Sequence, residues 1–220
     1  MPRLLHIIAT PRGEESRTLR VSRAFLDRFK AENPEGVIDE LDLFKEELPP
    51  VGAKQAHAKY VLMAGGRLNG GTKSPWEDVE RHIKKFLDAD VYLVSAPMWN
   101  FGIPYVLKHY IDVIVQPGYL FRYNAQGPEG LVKDKKMVVV TSRGGDYGEG
   151  TPAHAFDLQE PYLRAVFGFV GITDITFVHA QGMDSGSYEN REERIQGAIS
   201  RVKRAAAGEW AEETAGSGLR

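Results

Sequence analysis

Five short apolar runs alternate with longer amphipathic segments along this chain of 220 residues. β-branched residues are concentrated in the runs, which span residues 4–9, 37–43, 91–96, 137–142 and 175–179. This alternation is typical of a parallel β-sheet with helices on both faces. We therefore predict an α/β protein, a three-layer sandwich built on a five-stranded parallel sheet in the order 2-1-3-4-5.

Amphipathic periodicity predicts the helices between these strands. The first helix has an inward face from Leu19 to Phe29 and ends before Asn33. Ser74, Pro75 and Glu77 form an N-terminal signature, so we expect a second helix to begin there. Its predicted inward residues are Trp76, Val79, Ile83 and Leu87. Three later helices are predicted at residues 104–115, 158–170 and 189–204. On the fourth of these helices we expect Tyr162, Val166 and either Phe169 or Val170 to face inward. The weakly patterned connection at residues 49–73 is interpreted as a surface insertion or a lid.

The composition favours one soluble domain. Hydrophobic residues make up 42% and charged residues 26%, and the net charge of -2 offers no footprint for nucleic acid or an anionic membrane. No apolar stretch is long enough to span a bilayer or to form a signal peptide, so we expect a cytoplasmic location. We assign residues 1–204 to a single domain and residues 205–220 to a C-terminal tail.

Several chemistries are excluded by residue type. Cysteine is absent, which rules out thiol nucleophiles, thiolate metal sites and a flavin attached through sulfur. The six histidines show no helical ligand pair with a supporting carboxylate, so we predict no metal site. No Gly-x-Ser-x-Gly elbow follows a predicted strand, which argues against Ser/His/Asp hydrolysis.

The loop after the first predicted strand has the features of a phosphate cradle. Thr10, Ser16 and Thr18 supply hydroxyls at the start of a helix, and Arg12 or Arg17 can add positive charge. The lack of a Gly-Lys-Ser/Thr sequence favours a monophosphate over a triphosphate. Two observations leave an alternative open: Ser16 could only cap the helix, and two glutamates at positions 14 and 15 oppose an anion unless they point outward.

Two further loops follow the third and fourth predicted strands. Residues 97–104 contain two prolines, a glycine and two aromatic residues, which suits a rigid loop along a flat ring; the alternative is that Trp99 and Phe101 pack into the core. The glycines of residues 141–148 permit close approach of main-chain amides to a ligand, although such a loop is often only a turn. In the predicted strand order all three loops lie at one edge of the sheet, where ligands bind.

These residues resemble a known group of flavoproteins. Residues 97–104, followed by Leu107-Lys108 and Asp112, are similar to the flavodoxin-like NAD(P)H-dependent FMN reductases and quinone reductases. Within that group, residues 121–123, 127–131 and 141–145 look most like the FMN-dependent NADH-azoreductases. The resemblance extends from the first strand to about Gly182, and it departs from the family where Trp99 replaces a frequent tyrosine and Pro11-Arg12 replaces smaller polar residues.

The resemblance implies a flavodoxin-like homodimer with noncovalent FMN that takes electrons from NADH or NADPH and reduces quinones or azo compounds by a ping-pong mechanism. The residues carried over by position as cofactor ligands are Thr10, Ser16, Arg17 and Thr18 at the phosphate, Met98, Trp99, Asn100 and Phe101 along the ring, and Ser142, Gly144 and Gly145 at its pyrimidine edge. Pro97 and Arg143 are also expected to bind the cofactor. Phe121 and Tyr123 would shape the substrate pocket. No catalytic side chain is assigned, because the flavin carries the chemistry. Two alternatives remain, a flavodoxin-type electron carrier that does not oxidise nicotinamide and a module that has lost its flavin.

Overall fold

Helices and strands alternate along the chain, as the sequence predicts. The computed structural model describes residues 1–207, and for residues 70–75 it describes the backbone alone. The elements are β1 (Arg3–Ile8), α1 (Arg17–Glu32), β2 (Val37–Asp42), α2 (Ala53–Met63), α3 (Gly70–Leu87), β3 (Val91–Ser95), α4 (Tyr105–Ile114), β4 (Phe121–Asn124), β5 (Gly127–Gly130), β6 (Lys136–Ser142), α5 (Gln159–Val170), β7 (Asp174–Ala180) and α6 (Tyr188–Ala206).

Five strands form the central sheet, in the order β2-β1-β3-β6-β7, and all four neighbouring pairs are parallel. This confirms the predicted order, because β6 and β7 are the fourth and fifth strands of the sheet. From β1 the chain turns to one side to reach β2, and from β3 it turns to the other side to reach β6. The connections after β1 and β3 therefore separate and leave a crevice at the carboxyl ends of these strands.

Helices cover both faces of the sheet. On one face, α1 and α6 pack through Phe25 and Val202 against Leu4, Leu93 and Val138. On the other face, α3, α4 and α5 pack against the alternate strand residues, and the buried helical residues there include Ile83, Ile111 and Phe167. Burial of each large apolar side chain contributes about 1.5–3 kcal/mol, so this double-sided packing is the main stabilising term.

A two-stranded antiparallel hairpin, β4–β5, lies outside the main sheet. Its base is fixed by backbone hydrogen bonds from Leu131 N–H to Leu120 O at 2.8 Å and from Val132 N–H to Val170 O at 2.9 Å. Gly130 faces the end of α5, and a Cβ atom there would lie only 2.3 Å from the carbonyl carbon of Val170. The hairpin therefore docks on α5 by direct backbone contact.

Some local predictions are wrong. Helix α3 begins at Gly70, ahead of the expected start at Ser74-Pro75, so Pro75 lies in its second turn, where proline removes one intrahelical hydrogen bond. The connection at residues 49–73 contains the helix α2, which has a single buried residue, Ala58, and so lacks a clear apolar stripe. The hairpin at residues 121–130 was missed because glycine and proline make up much of β5.

The inward faces of α3 and α5 are confirmed at Trp76, Val79, Ile83 and Val170 and differ from the prediction at three positions. In α5 the buried residues are Leu163, Phe167 and Val170, whereas Tyr162 and Val166 are half-buried. In α3, Phe86 is buried and Leu87 is half-buried. Helix α6 continues to Ala206, and the rest of the predicted tail, residues 208–220, lies outside the described residues. Within residues 1–207, no helix has the length and apolar character needed to cross a bilayer.

Candidate functional site

A cavity of about 200 Å³ lies at the carboxyl ends of β1, β3 and β6. It brings together most of the residues that the sequence predicts as cofactor ligands, namely Thr10, Ser16, Arg17, Thr18, Pro97, Met98, Trp99, Ser142, Arg143 and Gly144. Arg12, Met183 and Asp184 complete the lining. The predicted ligands Asn100, Phe101 and Gly145 adjoin the lining residues in the chain. Met183 and Asp184 follow β7, and no sequence pattern marked them as residues of the site.

One end of the cavity is formed by the start of α1. Ser16 is the N-cap of this helix, since its Oγ accepts a hydrogen bond from the N–H of Leu19 at 3.2 Å. Thr10 Oγ1 donates to Ser16 Oγ at 3.3 Å, and the hydroxyls of Thr18 and Ser142 are hydrogen-bonded at 2.8 Å. The capping role of Ser16 is thus established. The remaining N–H groups of the first helical turn have no acceptor within the helix, which makes this end suitable for an anion.

The charged side chains that line this end of the cavity are Arg12, Arg17 and Asp184. Arg17 donates to the carbonyl of Met183 at 2.9 Å and to the carboxylate of Asp184 at 3.0 Å. Glu14 and Glu15 are absent from the cavity lining, because they are turned outward to ion pairs with Arg23 and Arg12 respectively. The outward orientation removes the objection that the two glutamates raised. Asp184 is the only carboxylate among the lining residues, and it occupies the guanidinium that a bound anion would use.

The loop after β3 has a constrained backbone. Asn100 and Phe101 both have positive φ, 48° and 68°, a conformation that non-glycine residues seldom adopt. Reciprocal backbone hydrogen bonds between Trp99 and Gly102, at 3.0 and 3.1 Å, close the turn. Trp99 is 36% exposed and Phe101 is 45% exposed, so these aromatic side chains are not core residues. The alternative that they pack into the core is therefore wrong.

The loop after β6 is held by the segment that follows β7. The N–H groups of Gly182, Met183 and Asp184 donate to the carbonyls of Gly145, Arg143 and Gly144, at 2.8, 2.9 and 3.1 Å respectively. A Cβ atom on Gly144 would lie 2.6 Å from a carboxylate oxygen of Asp184. Glycine at this position therefore leaves room for the Asp184 side chain and keeps the main chain of the loop open to the cavity.

The side chain of Arg143 is held by partners within the protein. It is 1% exposed, donates to the Asp157 carboxylate at 2.7 Å and lies 3.3 Å from Oε1 of Gln159. Burial lowers the pKa of Arg143, and the charge of Asp157 opposes that shift. Asp157 and Gln159 thus occupy the guanidinium, while Arg143 still lines the cavity. Its contact with a cofactor stays a prediction.

Phe121 and Tyr123, the predicted substrate-pocket residues, do not line this cavity within one chain. Both lie on β4, where Phe121 packs against Phe169 with ring centroids 4.7 Å apart. Tyr123 is 60% exposed. Their contribution to a substrate pocket stays a prediction.

A half-buried histidine and carboxylate pair, His179 and Glu160, lies beside Thr141 of β6. His179 Nε2 is 2.7 Å from Glu160, and His179 Nδ1 is 2.8 Å from the hydroxyl of Thr141. Burial opposes the charge on Glu160, but the hydrogen bonds and charges of His179 and Arg164 outweigh it and hold the pKa of Glu160 at about 2. Burial lowers the pKa of His179. Across residues 1–207, no group of three or more His, Asp and Glu side chains is placed to hold a metal ion.

This pair predicts a loss of stability in acid. Both groups bind fewer protons when folded than when unfolded, so their contribution is complete above their unfolded pKa values and is lost as the pH falls. We expect the difference in unfolding free energy between the wild type and Glu160→Gln to be largest near pH 7 and to shrink below about pH 4.5, the range in which an unfolded glutamate becomes protonated. Urea unfolding of both proteins at several pH values measures this difference in unfolding free energy.

The exposed pair of Glu32 and Arg28 provides a control. Glu32→Gln should differ little from the wild type at any pH, because exposed ion pairs contribute little. A constant difference between Glu160→Gln and the wild type from pH 7 to pH 2.5 would contradict the assignment.

Comparison with known proteins places the chain among flavoproteins. Residues 2–206 match the model of a family described by its flavodoxin-like fold. The chain is 37% identical over 206 residues to the FMN-dependent NADH:quinone oxidoreductase of Nitratidesulfovibrio vulgaris strain DP4, covering 94% of this chain and 99% of the relative. It is 42% identical over 187 residues to the protein of the same name from Rhizobium meliloti, covering 84% and 87%.

Solved structures of azoreductases are also similar to this chain. The structure of the azoreductase from Bacillus anthracis strain Sterne superposes with a TM-score of 0.85 at 32% identity, covering 94% of this chain and all of the other. A FMN-dependent NADH-azoreductase from Bacillus anthracis strain Ames Ancestor, solved in complex with FMN, superposes with a TM-score of 0.84 at 28% identity, covering 96% of this chain and all of the other.

Proposed function

The chain belongs to this flavodoxin-like family, and from that membership we propose that it is an FMN-dependent oxidoreductase which uses NADH or NADPH to reduce quinones or azo compounds. The observation that carries the proposal is the convergence of three loops on one cavity with a cationic end and an apolar end. The names of its relatives support the same activity. NADH appears in those names, and we propose it as the donor.

The donor groups of the cavity fit FMN. The free N–H groups at the start of α1 and the buried hydroxyls of Thr10 and Ser16 suit a phosphate monoester. The guanidinium of Arg17 would join them by exchanging its Asp184 partner for the phosphate. Pro97, Met98 and Trp99 provide an apolar wall beside a flat ring. The main chain around Gly144 supplies amides to a ring edge. The absence of cysteine excludes attachment of the flavin through sulfur, and we propose noncovalent binding.

When bound, FMN supplies the electron transfer, accepting a hydride from the nicotinamide and giving up two electrons to the acceptor. The part of this chain is to orient the ring and to stabilise negative charge through backbone amides in the loops at Asn100 and Gly144-Gly145. We propose that donor and acceptor use one position in turn. Parallel lines in double-reciprocal initial-rate plots are the expected result, and intersecting lines would exclude this order.

The visible absorption spectrum tests the proposed function. We expect flavin bands in the purified protein or after incubation with FMN and desalting, bleaching on anaerobic addition of NADH, and recovery with a quinone. Binding of FMN without bleaching by NADH or NADPH would instead identify a flavodoxin-type electron carrier. Failure to bind FMN at all would refute the proposal.

Removal of the Arg17 guanidinium should weaken FMN binding selectively. A charge-assisted hydrogen bond contributes about 1.5–3 kcal/mol, so Arg17→Met should raise the Kd for FMN by roughly 10-fold to 100-fold. The Kd for riboflavin, which lacks the phosphate, should stay unchanged. Flavin fluorescence quenching measures both constants. Arg28→Met, on the same helix but paired with Glu32, is the matched control, and an equal loss for FMN and riboflavin would place Arg17 away from the phosphate.

We propose a homodimer in which a second copy covers the mouth of the cavity. The roughly 200 Å³ enclosed by one chain is less than the about 300–1,000 Å³ typical of ligand pockets. Exposed aromatic residues surround the mouth, with Phe101 5.2 Å from Phe156 and Tyr105 68% exposed. Such a patch suits a protein interface. Sedimentation velocity should give the mass of two chains.

We also propose that the enzyme acts in the cytoplasm, where reduced nicotinamide is available. The net charge of -2 supports small-molecule substrates over nucleic acid or an anionic membrane as partners. Cell fractionation would test the location.

A further inference from the structure

Gln159, the first residue of α5, is fully buried behind the loop that follows β3. Its side-chain nitrogen donates to the carbonyls of Ala96 and Pro97, at 3.1 and 3.2 Å. Both hydrogens of one amide group therefore hold the point where the chain leaves the sheet and enters this loop. Sequence patterns do not reveal this contact, because the partners are 63 and 62 residues apart.

The orientation of the Gln159 amide is fixed by its oxygen. Oε1 faces Nε of Arg143 at 3.3 Å, and Arg143 is in turn paired with Asp157 at 2.7 Å. Asp157 also accepts from the backbone N–H of Gln159 at 3.1 Å. Because the guanidinium can only donate, the amide cannot turn over without losing its contacts with Arg143, Ala96 and Pro97.

The same segment holds the far side of the loop. The N–H of Leu158 donates to the carbonyl of Phe101 at 3.0 Å. Phe101 and its neighbour Asn100 have positive φ, a conformation that costs of order 1–3 kcal/mol for each non-glycine residue and persists only when the surroundings impose it. Residues 157–159 thus contact the loop at its entry and at its strained turn.

We propose that Gln159 is a positioning residue for the reaction: held by Arg143 and Asp157, it fixes the loop of residues 97–101 in the geometry that bound FMN requires. This inference rests on the proposed function, since it is the flavin ring that the loop would line. Gln159 touches no reacting atom. It acts through the backbone of the loop, by stabilising a strained conformation that the loop would otherwise relax.

The test is Gln159→Met, which keeps the length and volume of the side chain but removes its donors and its acceptor. The control is a variant of Phe167, a buried residue of the same helix that packs on Phe86 away from the cavity. Phe167→Leu or Phe167→Ala is chosen, whichever matches the loss of Tm in Gln159→Met. Any difference between the two variants then reports on position and not on stability.

Two readouts are taken. Hydrogen exchange of the backbone amides of Trp99 and Gly102 in the apoprotein reports the order of the loop and needs no cofactor. The Kd for FMN and the midpoint potential of bound FMN report the consequence. Gln159→Met should speed exchange at both amides, raise the Kd about tenfold, equivalent to the loss of roughly one to two net hydrogen bonds, and shift the potential. The matched Phe167 variant should leave all of these as in the wild type.

Equal exchange and equal FMN properties in the two variants would overturn the inference and leave Gln159 a packing residue. If the wild type itself binds no FMN, the proposed function fails, while the exchange of the apoprotein still decides whether Gln159 orders the loop. Should Gln159→Met not fold, Leu158→Pro removes the N–H that donates to Phe101 and Phe156, at a residue that is 61% exposed. Unchanged exchange at Gly102 in that variant would count equally against the inference.

Discussion

Replacement of Gly130 by alanine is expected to destabilise the protein by about 3 kcal/mol or more, the upper range for overpacking in a rigid interior. The added Cβ would lie 2.3 Å from the carbonyl carbon of Val170 and 2.4 Å from the nitrogen of Gly171. These are backbone atoms at the end of α5, so no side chain can rotate away. The hairpin must separate from α5, which breaks the hydrogen bond from Val132 to Val170.

Urea unfolding of Gly130→Ala against Gly168→Ala measures this effect. Gly168 lies within α5 and a Cβ there meets no atom within 4 Å. Alanine in a helix is favoured over glycine by about 0.5–1 kcal/mol, so Gly168→Ala should be neutral or stabilising. An unfolding midpoint for Gly130→Ala close to that of the wild type would mean that the hairpin is not in contact with the helix.

The second large effect is expected for Asp157→Ala. It removes the counterion of Arg143, whose side chain is 1% exposed, while the Asp157 side chain is 8% exposed. An unpaired charge in such a position costs about 3–5 kcal/mol. Asp157→Ala also removes the acceptor for the N–H groups of Gln159 and Glu160, so the start of α5 should loosen.

The unpaired charge can be separated from lost packing by the double variant Arg143→Met/Asp157→Leu. If the charge is the cause, the double variant should be more stable than Asp157→Ala alone, since two apolar side chains leave nothing ionised in the interior. Asp88→Ala, which breaks the exposed pair with Lys84, should change the unfolding free energy by about 1 kcal/mol or less. A similarly small change for Asp157→Ala would contradict the assignment.

The strands and the three loops could be predicted because their signals are local. The inner strands β1, β3 and β6 are buried on both faces and read as nearly continuous apolar runs, and parallel pairing then places the loops at one edge. The helix α2 gives no such signal, since only Ala58 is buried. The hairpin gives no such signal either, because β5 begins and ends with glycine.

Side-chain partners could not be predicted in the same way. Arg143 follows a strand and precedes two glycines, as a ligand-binding arginine would, and only the folded chain shows that Asp157 occupies it. Asp184 is 167 residues from Arg17, and Gln159 has no feature that separates it from a surface residue at a helix start. Such pairs depend on tertiary packing, which a pattern of single residues does not encode.

The hydrogen bond between Thr18 and Ser142 joins the start of α1 to the end of β6, 124 residues apart in the chain. Contacts of such high sequence separation form only after the intervening chain has lost most of its loop entropy, so the cavity is a late product of folding. A ligand that needs all three loops cannot serve as a template for a nascent chain. It acts after the sheet is complete, by mass action on molecules that have already folded.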